Sequence, residues 1–427
     1  MKRRFAVLAS VLALALVGAA CTGSDSGGDS SGPIKLTFAA EWTGQTKVIT
    51  DGLVKQWNAD HPDIQVEMNN YGSADYALTK IETQLAGGSA PDIAYLYGSY
   101  AGKVASVPQA VKLNSYIDKD PSFDWNDFVP AERLAATVDG QIIGIPALID
   151  NLALVYNKTL FDAAGLSYPT ADWTWQDFRD AAKQLTDPVT HQYGWALNLD
   201  GSEDTVWHYD SLLWQAGGDI LNSDNTQAAF NSPAGIKALT QIANMTNVDH
   251  SVYLDNSQGK YSQLFNTNKI AMLYTGPWDL PDFKAHNIDY GVQILPGDLN
   301  HQTISGPDNW VIFDNGSARV QAAFDFLAWY TAGAQDIQLA VAAGTLPIRE
   351  SETKLPEYKQ YLKDVPGVDV FEANLANAVK ARPGVASYPK ISAVMGNAVA
   401  QAAYGKMTPT DALSQAADQV NQILASG

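Results

Sequence analysis

The sequence predicts an α/β fold built on open sheets with right-handed crossovers. Two observations carry that reading. Residues 34–93 run strand, helix, strand, helix, strand, with the apolar spacing switching between alternation and a helical face. Each switch is marked by a turn or stop cluster, at Thr43-Gly44, Asp60-His61-Pro62 and Gly87-Gly88. A third observation sets the scale: about 407 residues follow an N-terminal leader, enough for two or three well-buried cores.

The leader comes first in the chain. Lys2, Arg3 and Arg4 precede an apolar run from Phe5 to Val17, and Gly18-Ala19-Ala20 ends it. Basic start, short apolar middle and small residues describe a secretory signal over residues 1–20. The run is too short to be a stable membrane span. The only cysteine, Cys21, stands directly after it. That arrangement resembles the lipobox of bacterial lipoproteins, although Gly18 stands where those motifs usually carry Leu. The resemblance implies acylation of Cys21 and an anchor on the outer face of the cytoplasmic membrane. Thr22 to Gly32 contains only Gly, Ser, Asp and Thr, too polar to fold, so residues 21–32 read as a lipidated flexible tether.

The body opens with a strand through Ile34, Leu36 and Phe38. A helix follows, burying Ile49, Leu53, Val54 and Trp57 and stopping at Pro62. Ile64, Val66 and Met68 make the second strand. A helix over about 76–85 leads to the third, entered at Pro91-Asp92-Ile93. The pattern then changes at Ile142-Ile143-Gly144-Ile145-Pro146, and a strand from Leu152 to Tyr156 ends in Asn157-Lys158. Thr174 and Asp177 form an N-terminal cap pair for a helix through Lys183. Ser232-Pro233 starts another, with Pro at its tolerated first position. Ile270 to Tyr274 is a buried strand running into Thr275-Gly276-Pro277-Trp278. Helices are predicted over about 318–330, 391–404 and 411–424.

Composition narrows the function. There are 27 basic and 46 acidic residues, and loss of the leader takes the net charge from −19 to −22. Such a surface repels phosphate backbones and argues against a nucleic-acid partner. One cysteine allows no internal disulfide. Six histidines lie without metal-ligand spacing, so no metal is expected. No GxSxG elbow and no nucleotide cradle is present, and no cofactor is implied. With 46 acids a glycosidase pair is not ruled out, yet nothing singles one out. Eleven Trp and nineteen Tyr exceed what a core of this size needs, and sugar binding would use the surplus.

Five strings then fall in a known order: Ala90-Pro91-Asp92-Ile93; Ile145-Pro146 with Asp150 and Leu152 to Lys158; Gln215-Ala216-Gly217-Gly218-Asp219; Lys269-Ile270-Ala271-Met272 running into Gly276-Pro277-Trp278; and Tyr404-Gly405 followed by Thr408-Pro409-Thr410-Asp411-Ala412-Leu413. Together they resemble the family-1 extracellular solute-binding proteins of ABC importers, the group that holds the maltose-binding proteins. The resemblance implies a two-lobed periplasmic-binding-protein clamp of type II, each lobe a discontinuous open α/β sheet flanked by helices. The expected lobes are residues 33–149 plus 308–346 and residues 150–307 plus 347–427. About three hinge crossings join them, near 146–151, 303–308 and 345–348. The implied protein is a monomer that is no enzyme, holds a mono- or oligosaccharide between its lobes and hands it to a membrane permease.

A pyranose offers two apolar faces and a rim of hydroxyls, so its host needs aromatic rings and planar polar groups. The resemblance puts Trp278 and Trp207 at sugar-stacking positions and Asp150 at a sugar-binding carboxylate. Glu41 and Trp42 end the first strand, where open α/β sheets take ligands. Tyr97 and Ser99 follow the third strand on the same edge. Asp308, Asn309 and Trp310 fall at the second crossing, and Arg382 could fork onto a rim or an acid group. All but Tyr97 and Ser99 have a plainer alternative: a core ring for the tryptophans, a helix or hinge cap for Asp150, turn chemistry for Glu41 and Trp42, a repacked hinge for 308–310 and a surface ion pair for Arg382. Met395 or Gly396 stands where the family has a further stacking tryptophan, which tells against maltose-type specificity. A polyamine or polyol remains an alternative ligand, and an extracellular glycan-degrading enzyme the alternative of another class.

Overall fold

The computed structural model describes residues 32–72, 74–255 and 260–426. The leader, Cys21 and all of the tether but Gly32 lie outside the described residues. Twelve strands are present among the described residues: β1 Ile34–Ala40, β2 Ile64–Asn70, β3 Ile93–Tyr97, β4 Thr137–Val138, β5 Gln141–Ile142, β6 Ile145–Leu148, β7 Ala153–Asn157, β8 Tyr193–Asn198, β9 Val252–Asp255, β10 Ile270–Thr275, β11 Tyr290–Gln293 and β12 Asp308–Ile312. They form two five-stranded sheets, in the orders β2-β1-β3-β12-β6 and β11-β7-β10-β8-β9, and a small β4-β5 hairpin.

The first three strands pair in parallel around β1, which requires crossover connections, supplied by the helices Gly44–Asp60 and Ala74–Ala86. Strand β12 enters between β3 and β6, antiparallel to both, from a point some 200 residues along the chain. The first lobe is therefore discontinuous. In the second sheet β10 lies antiparallel to β7 and parallel to β8. The chain passes from the first sheet to the second between β6 and β7, and returns between β11 and β12. Backbone bridges from Ile149 to Leu346 and from Asn151 to Ser305 hold the passing segments side by side. These segments form the floor between the lobes.

Local chemistry accounts for the helix starts. Thr174 and Asp177 make a reciprocal capping box at Trp175–Gln184, and Ser232 caps Pro233–Asn247. Asp92, at the entry to β3, is a junction. Its carboxylate accepts from the Thr37 backbone N–H at 2.7 Å and from Arg319 Nε at 2.8 Å, tying β1 to the helix Ser317–Tyr330. Burial alone would raise this acid, but the bonds from Arg319, Thr37 and Asn315 outweigh it and hold Asp92 below the usual carboxylate range.

Much of the aromatic surplus is core. Trp57, Trp175, Trp195, Trp214 and Trp310 are all buried. Trp310 sits in an aromatic nest, its ring centre 4.8 Å from Phe38, 5.4 Å from Tyr95 and 5.7 Å from Tyr330. Among the described residues no helix is long and apolar enough to cross a membrane.

Candidate functional site

A cleft of about 540 Å³ lies over the crossing segments, between the carboxyl ends of the two sheets. The first lobe contributes Glu41 and Trp42 from the end of β1, Tyr95 and Tyr97 from β3, and Asp308 from the start of β12. Leu148, Asp150 and Gly306 line the floor. Opposite them stand Asn198 at the end of β8, Glu203, Asp204 and Trp207 from the first turns of the helix Glu203–Gln215, and Trp278 just beyond β10. Tyr261 and Arg382 complete that wall.

The two tryptophans form one platform, with ring centres 5.5 Å apart and planes 27° from parallel. The strand-end glycine makes this possible: a Cβ on Gly276 would stand 1.8 Å from the Trp278 ring. Asp150 is 7% exposed. Its backbone carbonyl accepts from the Gly306 N–H at 3.1 Å and the Ser305 hydroxyl at 3.0 Å. Its Oδ1 has no hydrogen-bond partner. A Cβ on Gly306 would come 2.4 Å from that oxygen and 3.2 Å from Trp207, so the glycine lets carboxylate and platform meet.

Burial, and the neighbouring charge of Asp308, push Asp150 well above the usual carboxylate range. Burial likewise takes Asp308 up to about 7, although Tyr95 donates its hydroxyl to Oδ2, Arg382 attracts it and the Gly98 N–H donates to Oδ1 at 3.1 Å. Behind them Glu132 is fully buried with neither oxygen partnered, and burial with the charges of Asp308 and Asp150 pushes it up too. On the far wall Arg382 Nη1 donates to Glu203 Oε1 at 2.7 Å, both side chains under a tenth exposed. Glu203 also accepts from the Tyr388 hydroxyl at 3.1 Å and from the Ser392 hydroxyl.

The family model for bacterial extracellular solute-binding proteins matches residues 43–336, more than half of the chain. The chain belongs to that family. Solved relatives agree over almost the whole length of both chains. An ABC substrate-binding protein of Listeria monocytogenes, in complex with cycloalternan, is 29% identical with a TM-score of 0.84, covering 92% of this chain and 99% of its own. The cyclic α-maltosyl-1,6-maltose-binding protein of Arthrobacter globiformis is 28% identical with a TM-score of 0.76, covering 93% and 100%. A solute-binding protein of Thermotoga lettingae bound with α-D-tagatose is 26% identical with a TM-score of 0.81, covering 92% and 100%. The two-lobed clamp is thus this solute-binding protein's architecture.

Of the residues singled out from the sequence, Trp278, Trp207, Asp150, Glu41, Trp42, Tyr97, Asp308 and Arg382 all line this cleft. Three do not. Trp310 is fully buried in the first sheet, one layer below Asp308 on the same face of the pleat. Asn309 points to the other face, donating to the Ala135 carbonyl at 3.4 Å and filling the space that Gly144 leaves by having no Cβ. Ser99 is buried in the short turn Gly98–Tyr100 behind Tyr97, off the cleft wall. Arg382 is not the surface pair its plainer alternative supposed, since its partner Glu203 is as buried as itself. Met395 is wholly buried, and a Cβ at Gly396 would fall 2.4 Å from the Gly201 carbonyl, so the closing helix packs against a loop there.

The sequence reading missed Tyr95, Asn198, Glu203, Asp204 and Tyr261. A signal for Glu203 existed. Its helix carries Val206, Leu212, Leu213 and Trp214 on all sides, the pattern of a buried helix, and every residue of it but Asp204 is buried. Acids on such a helix need partners or a task. Among the described residues no group of His, Cys, Asp and Glu is arranged to hold a metal ion.

Proposed function

We propose that this solute-binding protein captures a carbohydrate in the interlobe cleft, closes over it by hinge bending and delivers it to an ABC permease. The observation that carries this is the Trp207–Trp278 platform with the unpartnered Asp150 Oδ1 at its edge. Such a pair supplies what a pyranose needs: an aromatic face for its C–H surface and an acceptor for its hydroxyl rim. The cargoes named for the three solved relatives are of the same class. The lobes we assign are residues 33–149 plus 308–346 and residues 150–307 plus 347–427. We further propose a lipid on Cys21 as the anchor, and a monomer in which residues 22–32 let the body reach its permease. A tether of n such residues reaches roughly 5–6 Å × √n.

The test is a thermal-shift screen of residues 22–427 against mono- and oligosaccharides, cyclic glucans and polyols, with a reducing-sugar assay alongside. A ligand that binds only the folded state stabilises it by about 2.7 kcal/mol at a hundredfold excess over Kd. The expected result is a saturable shift with one sugar class, abolished in Trp278→Ala, and no release of reducing ends. A shift that survives Trp278→Ala, or turnover of a glycan, would sink the reading.

A further inference from the structure

Five carboxylates line the cleft, those of Glu41, Asp150, Glu203, Asp204 and Asp308, and Arg382 is the only Lys, Arg or His among the described lining residues. A guanidinium in a cleft is ordinarily the natural receptor for a phosphate or carboxylate, which it grips with two N–H groups. Here it faces another carboxylate. Glu203 is held in turn by the Tyr388 and Ser392 hydroxyls of the helix Tyr388–Ala403, so it has no freedom to swing aside. A second anion-attracting feature is capped by the same residue. The first turn of the 13-residue helix Glu203–Gln215 lines the cleft, and the positive end of its dipole is met by Glu203 and Asp204.

We propose that Glu203 is the positioning residue that bars anionic solutes: by pairing with Arg382 and occupying the helix start, it leaves the cleft without a free cation and restricts the cargo to carbohydrates that bear no phosphate or carboxylate. The proposal rests on the carbohydrate reading for the nature of the cargo, but not for the exclusion of anions.

The experiment titrates residues 22–427, as wild type, Glu203→Gln, Glu203→Asp and the Glu203→Gln/Arg382→Gln double variant, with inorganic phosphate, glucose 6-phosphate and an uncharged sugar panel. Tryptophan fluorescence, which Trp207 and Trp278 place at the site, is read together with calorimetry. Wild type should show no saturable response to either anion. Glutamine can still hydrogen-bond Tyr388 and Ser392 but removes the charge that neutralises the guanidinium, so Glu203→Gln should bind phosphate about tenfold or more tighter, the worth of one charge-assisted hydrogen bond. Glu203→Asp should restore exclusion, and the double variant should lose the gain. Mere structural damage would not create an anion site. Wild type that binds phosphate or glucose 6-phosphate, or a cooperatively melting Glu203→Gln that gains nothing, overturns the proposal. Should Glu203→Gln not fold, the wild-type titration decides alone. If no uncharged sugar binds while anions stay excluded, the carbohydrate reading fails and the charge rule stands.

Discussion

At the scale of single residues, Asp150 carries two conflicting demands. Its Oδ1 is buried without a partner, and burial with Asp308 pushes the acid up, so the empty protein holds it at a cost. The same oxygen lies beside the tryptophan platform, where a hydroxyl would satisfy it. Asp150→Asn keeps the shape and replaces the carboxyl group by an amide that cannot ionise. The empty protein is expected to melt no lower than wild type, while sugar affinity falls by about tenfold, the value of a hydrogen bond. Calorimetric melting and titration measure the two separately; unchanged affinity would make Asp150 a hinge cap. This residue was legible in the sequence because it follows a recognisable strand string and a crossing. Glu203 was not, because its meaning depends on Arg382, 179 residues away. Trp310 was misplaced for another reason. Alternation along a strand tells which face a side chain takes, but not how many rings lie above it.

Elements position the cleft through their ends. Glu41, Tyr97, Asn198 and Trp278 all stand at or just beyond the carboxyl ends of strands, where a sheet stops pairing and its side chains are free to face a ligand. The turn after β10 shows how finely this depends on backbone space. Gly276 has extended backbone, φ −100°, so its glycine is required by the Trp278 ring folded over it and not by conformational strain. Gly276→Ala is expected to displace that ring while β10, buried along its whole length, keeps its pairing. Its far-ultraviolet spectrum should match wild type while sugar affinity drops by about tenfold or more. Retained affinity would remove Trp278 from the site. The helices were legible element by element, since Thr174 with Asp177 and Ser232 with Pro233 are local signals. The insertion of β12 between β3 and β6 was not legible from pattern alone, because its pairing partners lie some 160 to 220 residues away in sequence.

Across the whole molecule the buried acids set how stability responds to pH. Burial raises Asp308 to about 7, and it raises Asp279 and Asp336 to about 6. Asp279 stays that high although the Thr275 and Ser262 hydroxyls donate to it. Asp150, Glu132 and Asp210 are pushed up by the same cause. A group whose folded pKa lies above its unfolded one contributes stability in full below the unfolded value, and loses it as pH climbs through the folded value. The window is therefore about pH 4 to 7, over which the folded state holds more protons than the unfolded chain. Asp92, Asp177 and Asp187 are shifted down, and their contribution is lost only on acidification below the ordinary carboxylate pKa, outside that window. Self-repulsion of a net charge of −19 acts in the same direction as the raised acids. The ligand-free protein should accordingly melt at a higher temperature at about pH 5.5 than at about pH 7.5, each raised group contributing up to about 1.4 kcal/mol per pH unit while it titrates. Asp308→Asn should flatten the slope between pH 6 and 7 and leave the lower part, set by Asp279 and Asp336, in place. A melting temperature that instead rises from pH 5.5 to 7.5 would mean that these acids are ionised and paired in the folded protein.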